Sequence, residues 1–395
     1  MINSELINYV KKTKNSFSKQ QIKEVLLKTG WNEPDIDEAF KFISKKPRSF
    51  LNFFIFFLII ALFFGGSLFF VQKYFKISEN AISANLLANL TNLEINQVES
   101  KKKLADEKPI MLLFVGDIML DRGVENVWQR YNNSRYPFLN IFKEIEKADL
   151  AFGNLEGSIS ERGANLKIKY SFRFSQLVID GLKFAGFDVL SLANNHSFDW
   201  GREALEDTVN ILRENDILPI GAGMNYLEAN SPAIKNIAGA KVAFLAYENI
   251  ESNSKYDEAT KDLAGKSSFN LERVKEEIYA MKQLEVADII IVSMHWGEEY
   301  QLRSNKKQQE IGRALVEAGT DIIIGHHPHV IQEIERYKNG WIAYSLGNFI
   351  FDQNFSKETM EGLMLKAIIQ DKKIVEIEPV EIKINSSFQP EIIGL

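Results

Sequence analysis

From Pro109 onward the chain alternates short, continuous apolar runs with segments whose apolar residues recur every three or four positions. The runs cover residues 110–115, 150–152, 189–192, 242–246, 289–292, 322–324 and 342–344. Each is too short for a helix and has no polar side, the pattern of a strand covered on both faces. Between several of them, residues 138–145, 202–213, 271–284 and 307–318 carry apolar positions at helical spacing. This alternation predicts βαβ units and an α/β domain over residues 109–395. Residues 363–384 instead alternate around Asp371-Lys372-Lys373, which predicts a closing antiparallel hairpin.

The first hundred residues have a different pattern. No charged residue lies between Arg48 and Lys73, and the Phe-rich stretch between them has the length of a bilayer core. It predicts a transmembrane helix over 50–72. Its distance from the start argues against a cleaved signal peptide. Lys45, Lys46 and Arg48 precede it, and Lys73 and Lys76 follow. That modest bias favours a cytoplasmic N-terminus and an extracytoplasmic main domain, held at the cell membrane by one pass. Residues 73–108 are polar and read as a stalk. Residues 1–45 read as a small helical module. Ser18 and Gln21 suit a capping box before Ile22, Val25 and Leu26, and Pro34 suits a first turn before Ile36, Ala39, Phe40 and Ile43. The module resembles small UBA-like bundles.

Composition narrows the chemistry. The net charge is −6, of which residues 1–49 contribute +4 and the remainder −10. An acidic outer domain is a poor partner for nucleic acid. There is no cysteine, so disulfides, thiolate metal sites and thiol nucleophiles are excluded. Any metal must be held by His, Asp, Glu or Asn. The five histidines are not scattered. His196, His295, His326, His327 and His329 all follow apolar runs.

The strand exits therefore hold the candidate site. They read Gly116-Asp117-Ile118-Met119-Leu120-Asp121-Arg122, Gly153-Asn154-Leu155-Glu156, Ala193-Asn194-Asn195-His196-Ser197-Phe198-Asp199, His295-Trp296-Gly297-Glu298-Glu299, Gly325-His326-His327-Pro328-His329 and Leu346-Gly347-Asn348. Ligands of open α/β sheets bind at the carboxyl ends of the strands. Singly, each motif has an ordinary explanation. A Gly-Asp or an Asn pair makes a turn, a lone His295 satisfies a core, and Trp296 packs. Their coincidence points to a metal centre. Oxygen ligands mixed with imidazole suit one or two divalent ions, Mn, Fe or Zn, and two ions could share a carboxylate.

At these motifs the sequence resembles the CapA family of poly-γ-glutamate capsule-synthesis proteins, in the calcineurin-like metallophosphatase superfamily. The matching pieces run in order over residues 110–352. The resemblance implies a four-layer α/β/β/α sandwich. It also implies Asp117, Glu156, Asn195, His295, His327 and His329 as metal ligands, with Glu156 as the bridging carboxylate. Asn195 and His196 resemble the superfamily's Asn-His pair, one a ligand and the other a transition-state contact or acid. His326 is surplus to the His-Pro-His pattern and is expected to tolerate substitution. The chain departs from ordinary metallophosphatases in three ways. Met119 stands where they carry a histidine, Glu156 replaces an aspartate, and His-Pro-His replaces Gly-His-x-His.

Three functions are compatible with this reading. The first is a membrane-anchored protein for synthesis, export or processing of extracellular poly-γ-glutamate, working with capsule-synthesis subunits through a hydrolase-type metal site. The second is a metal-dependent phosphoesterase, in which Asn195, His196 and Arg122 stabilise developing charge on a phosphoester. The third is a non-catalytic scaffold with a structural or vestigial metal.

Overall fold

Each apolar run forms a strand, and five of the seven strands extend beyond the run into the polar residues that follow it. The computed structural model describes residues 31–43, 108–166, 169–250 and 256–393, with positions 10, 19, 22, 23 and 26. The expected membrane span at 50–72 lies outside the described residues, as does the stalk up to residue 107. No helix among the described residues is long and apolar enough to cross a membrane. The chain divides into two compact units, one of Met1–Lys14 with Glu33–Lys108, the other of Asn15–Asn32 with Pro109–Leu395. In the first, helix α1 (Glu33–Ile43) begins at the turn expected from Pro34 and buries Ile36 and Ala39.

The second unit is built on two mixed sheets. In chain order, the strands of these sheets are β1 (Ile110–Ile118), β2 (Leu150–Leu155), β3 (Val189–Ser191), β4 (Leu218–Ile220), β5 (Ala233–Ile237), β6 (Ala240–Asn249), β7 (Ile289–Trp296) and β8 (Ile322–His326). They continue with β9 (Ile334–Tyr337), β10 (Gly340–Ala343), β11 (Asn348–Ile350), β12 (Glu361–Gln370), β13 (Lys373–Ile384) and β14 (Pro390–Ile392). The first sheet has the order β14-β13-β12-β1-β2-β3-β4, with β11 also parallel to β1. The second has the order β9-β10-β8-β7-β6-β5. Strands β1 to β4 run parallel to one another, as do β6, β7, β8 and β10. The closing hairpin is β12–β13, joined through Asp371 and Lys372, both at positive φ.

The two-residue period of each strand sorts its side chains into separate cores. Leu112 and Phe114 of β1, Phe152 of β2, Ile289 and Ile291 of β7, and Ile322 and Ile324 of β8 fill one cluster, which lies between the sheets. Leu113, Val115 and Ala151 point the other way, to Val124 and Trp128 of α2 (Arg122–Arg130), Val178 and Leu182 of α3 (Val178–Ala185), and Leu205 and Val209 of α4 (Arg202–Glu214). On the second sheet, Ile290, Val292 and Ile323 meet Val274 and Ile278 of α5 (Leu271–Gln283) and Ile311 and Leu315 of α6 (Lys306–Ala318). The layers are thus helix, sheet, sheet, helix. The helix expected over 138–145 is instead a 3-10 turn, Tyr136–Phe138, and a short helix, Phe142–Ile145. Pro137 opens the first, and Ile141 leaves helical geometry at φ −127 to bury its side chain. The edge strands β5 and β9 were not marked by apolar runs, because they alternate half-buried and exposed positions.

One irregularity positions the chemistry. The pairing of β1 with β2 shifts register between Phe114 and Asp117. A bulge of this kind re-aims the side chains beyond it. Ile118 therefore joins the helix-side core, and Asp117 turns toward the space between the sheets. Gly116 makes room: a Cβ there would lie 2.0 Å from the Gly347 carbonyl oxygen. Gly116→Ala should therefore lower stability by about 1–3 kcal/mol, the usual cost of overpacking. A urea midpoint equal to that of the wild type would contradict this account of the bulge.

Candidate metal centre

The functional side chains continue the inward-facing rows of the central strands. Beyond Phe152 on β2 the same face presents Asn154 and then, just past the strand, Glu156. Beyond Ile291 on β7 it presents His295, and beyond Ile324 on β8 it presents His326. Asp117, Asn154, Glu156, His295 and His326 are all essentially inaccessible to solvent. The loop after β8 adds His327 and His329, both buried and both at positive φ (94° and 56°). Such backbone is unfavourable for a side-chain-bearing residue and persists where its surroundings enforce it. The Tyr300 amide donates to the Pro328 carbonyl at 2.8 Å, which ties the Glu299–Tyr300 segment to this loop. The loop after β3 contributes Asn195 and His196.

Two groupings could hold metal. Asp117, Glu156 and His295 offer ligand atoms within 4.8 Å of one another, and so do Glu299, His327 and His329. Hydrogen bonds set the imidazole tautomers. Asn348 donates through Nδ2 to the Thr359 carbonyl (2.9 Å) and to Gln353 (3.0 Å), so its Oδ1 accepts from His329 Nδ1 at 3.0 Å and leaves Nε2 with its lone pair. Asn195 Nδ2 faces His196 Nε2 at 3.2 Å, so its Oδ1 accepts from His295 Nε2 at 2.8 Å. The His295 Nδ1 lone pair then faces inward, 3.8 Å from Glu156 Oε1.

The donor set fits a divalent cation. The Asn154 amide Nδ2 is surrounded by acceptors: Asp117 Oδ1 at 2.9 Å, Glu156 Oε1 at 3.2 Å and His295 Nδ1 at 3.4 Å. Asn194 holds that amide by donating to its Oδ1 at 3.1 Å. Glu156 Oε2, both ring nitrogens of His326 and Nδ1 of His327 are buried with no hydrogen-bond partner among the described residues. Buried polar atoms left without partners are costly unless another group satisfies them. The electrostatics agree. Burial, and then the charge of Asp117, push the Glu156 carboxyl well above its usual range. Burial acts on Asp117 in the same sense, but the neighbouring His326 and His329 rings overcome it and hold that carboxyl well below. Burial, followed by the other imidazoles, keeps His295 well below its usual range and His327 down at about 3, so both rings are uncharged at physiological pH.

Next to this cluster, His196 Nδ1 meets Asp199 Oδ2 at 2.9 Å, and the same oxygen accepts the Phe172 amide at 2.9 Å. Asp199 is fully buried, which raises its carboxyl despite the His196 ring. Arg122 stands off the cluster. Its guanidinium pairs with Asp352 and lies 4.7 Å from the centre of the Phe172 ring. It lines a cavity of about 350 Å³ together with His196, His329, Tyr300 and Glu299. A second cavity, of about 500 Å³, is lined by His327, Glu299, Asn249 and Lys307. Glu299 and the His327–His329 loop stand where the two meet.

All the expected site residues except Arg122 come together at this edge. His326, the histidine expected to tolerate substitution, continues the Ile322–Ile324 row into the buried space, and its Nδ1 lies 3.2 Å from Asp117 Oδ1. Asn154, Asp199, Glu299 and Asn348 were missed as individual site residues. Their signal was present, since each belongs to one of the strand-exit motifs or ends it. Trp296 packs as expected, buried with its Nε1 donating to the Tyr344 carbonyl.

Residues 111–353 match the family model described as bacterial capsule synthesis protein PGA_cap. The chain is 32% identical over 310 residues to the capsule biosynthesis protein CapA of Bacillus anthracis, covering 76% of this chain and 74% of that one. It is 32% identical over 273 residues to the PGA biosynthesis protein CapA of Bacillus subtilis, covering 67% and 69%. Among solved structures, a phosphatase from Mycoplasma pneumoniae aligns with a TM-score of 0.45 at 15% identity, over 70% of this chain and 94% of that one.

The buried carboxylates yield a test with opposite signs. Removing the Glu156 charge should relieve the apo protein, so Glu156→Gln should melt at or above the wild-type temperature. A hundred-fold excess of Mn²⁺ or Zn²⁺ over Kd should stabilise the wild type by about 3 kcal/mol and should do much less for Glu156→Gln. Equal metal-induced shifts in thermal melts of the two proteins would contradict the site.

Proposed function

Because the chain belongs to the family of bacterial capsule synthesis proteins, we propose that it is a membrane-anchored member whose outer domain processes extracellular poly-γ-glutamate by metal-dependent hydrolysis. The observation that carries this reading is the buried Asp117–Glu156–His295 grouping beside the Asp199–His196 pair. The uncharged stretch between Arg48 and Lys73 supports the anchor, with residues 1–45 inside the cell and residues 109–395 outside.

Divalent ions held at the two groupings supply Lewis acidity that polarises a carbonyl. The protein's own groups supply the rest. Hydrolysis of an amide adds the hydroxyl of water to the carbonyl carbon, breaks the C–N bond and leaves an amine that needs a proton. His196, held by the buried Asp199 side chain, is placed to pass a proton to that amine. Asn195 orients the ring by contacting Nε2 and links it to His295. The proton that the attacking water gives up passes to solvent through the cavity lined by Glu299 and Tyr300. The two cavities meeting at Glu299 leave room for chain on both sides of the reacting bond.

The full chain in detergent, loaded with Mn²⁺ or Zn²⁺, should shorten poly-γ-glutamate on a gel. Asp199→Asn should slow this by at least about 100-fold, and His295→Ala should abolish it. Turnover of an aryl phosphodiester with the polymer left intact would contradict the proposal and assign a phosphoesterase.

A further inference from the structure

One apolar run, residues 242–246, ends in polar residues that the metal centre does not use. On the inward face of β6, Phe244 and Ala246 are followed by Glu248, which is paired in register with His295 on β7. Glu248 forms an ion pair with Lys266, a buried lysine. Lys266 sits in the two-residue strand Gly265–Lys266, which pairs antiparallel with Ala222–Gly223. Its backbone is held on both sides. The Lys266 amide donates to the Asp257 carbonyl at 2.7 Å, and its carbonyl accepts from the Ala259 amide at 2.9 Å. The next residue, Ser267, donates through its hydroxyl to the Ala246 carbonyl at 2.7 Å. The lysine side chain therefore starts from a fixed point beside the second sheet.

An ammonium group has three hydrogens to donate, and Lys266 Nζ has three acceptors. These are Glu248 Oε2, Asp257 Oδ2 at 2.8 Å and the Asn194 carbonyl at 3.1 Å. Burial opposes the charge, but Glu248 and Asp257 outweigh it and raise the ammonium above its usual range. A buried ionic triad of this kind can commonly be replaced by apolar side chains without loss of stability. What such a replacement would lose is the third contact. Asn194 immediately precedes Asn195 and His196. Its side chain is tied to the exit of β2, through Asn154 and the Leu155 carbonyl, and its own carbonyl is tied to Lys266. Because a peptide unit is planar, the direction of that carbonyl sets where Asn195 leaves the turn. Asn195 in turn contacts His196 Nε2 at 3.2 Å and accepts from His295 Nε2 at 2.8 Å. We propose that Lys266 is a positioning residue, which clamps the Asn194–Asn195 peptide and thereby aligns Asn195 and His196 with His295. The proposal rests on the assignment of these three residues to the hydrolytic site.

Lys266→Met alone leaves two buried carboxylates without their cation and should melt below the wild type. The sharper variant removes the charges together, as Lys266→Met with Glu248→Leu and Asp257→Leu, and should melt no lower than the wild type. Hydrogen exchange of the full chain in detergent, read by mass spectrometry, should show residues 193–199 exchanging at least about 10-fold faster in both variants. Peptides from β1 and β7 should be unchanged in the triple variant. With Mn²⁺ bound, its kcat on poly-γ-glutamate should fall by about 10–100-fold, while KM stays within about two-fold. NMR of the wild type with isotope-labelled lysine should show one slowly exchanging ammonium at neutral pH that is lost in Lys266→Met. A triple variant that keeps its melting temperature, its slow exchange over residues 193–199 and its kcat would overturn the proposal and leave Lys266 a structural ion pair. So would the absence of a slowly exchanging ammonium. A wild type inert toward poly-γ-glutamate would instead overturn the hydrolytic reading, and exchange over residues 193–199 would still decide whether Lys266 clamps the turn.

Discussion

Asp117 and Glu156 are buried side by side, and the surrounding structure answers that arrangement. Two carboxylates out of water repel each other and lose their hydration, so they need positive charge or a shared proton. The protein supplies imidazoles on one side, at 3.2 and 3.3 Å from Asp117, and an asparagine amide between the acceptors. Glu156 is still left with an oxygen that has no partner among the described residues. The fold has spent considerable geometry to reach this point: a bulge in β1, glycines at close approaches, and two histidines at positive φ. Such concentrated irregularity on an otherwise regular pair of sheets marks a functional edge.

Much of this was legible in the chain itself. The apolar runs located the central strands of both sheets because those strands are covered on both faces. The strand-exit motifs located the edge because parallel strands deliver their carboxyl ends to one side. What stayed hidden depended on three-dimensional packing. Edge strands such as β5 and β9 lack a continuous apolar run, since only part of each is covered. The turn of Asp117 into the inter-sheet space depends on a bulge, and nothing in Ile110–Ile118 marks where the two-residue period slips. The burial of His326 was legible, since counting by twos from Ile322 and Ile324 puts its ring on the same inward face.

The site sits in a particular functional setting. Family membership connects the chain with bacterial capsule synthesis. A polyanion approaching the part of the chain beyond residue 49, of net charge −10, would meet long-range repulsion, and a local cationic centre is what would counter it. Arg122 is paired with Asp352 and lines the cavity that His196 and His329 also line. The load therefore falls on the metal edge and on the His196–Asp199 pair beside it.

The central claim is that cations occupy the edge where the two sheets meet. Anomalous diffraction from crystals of the protein loaded with Mn²⁺ or Zn²⁺ tests it most directly. The account predicts a peak enclosed by Asp117, Glu156 and His295, with a second beside Glu299, His327 and His329. A map with no anomalous density at this edge, or with density only at surface carboxylates elsewhere, would contradict it.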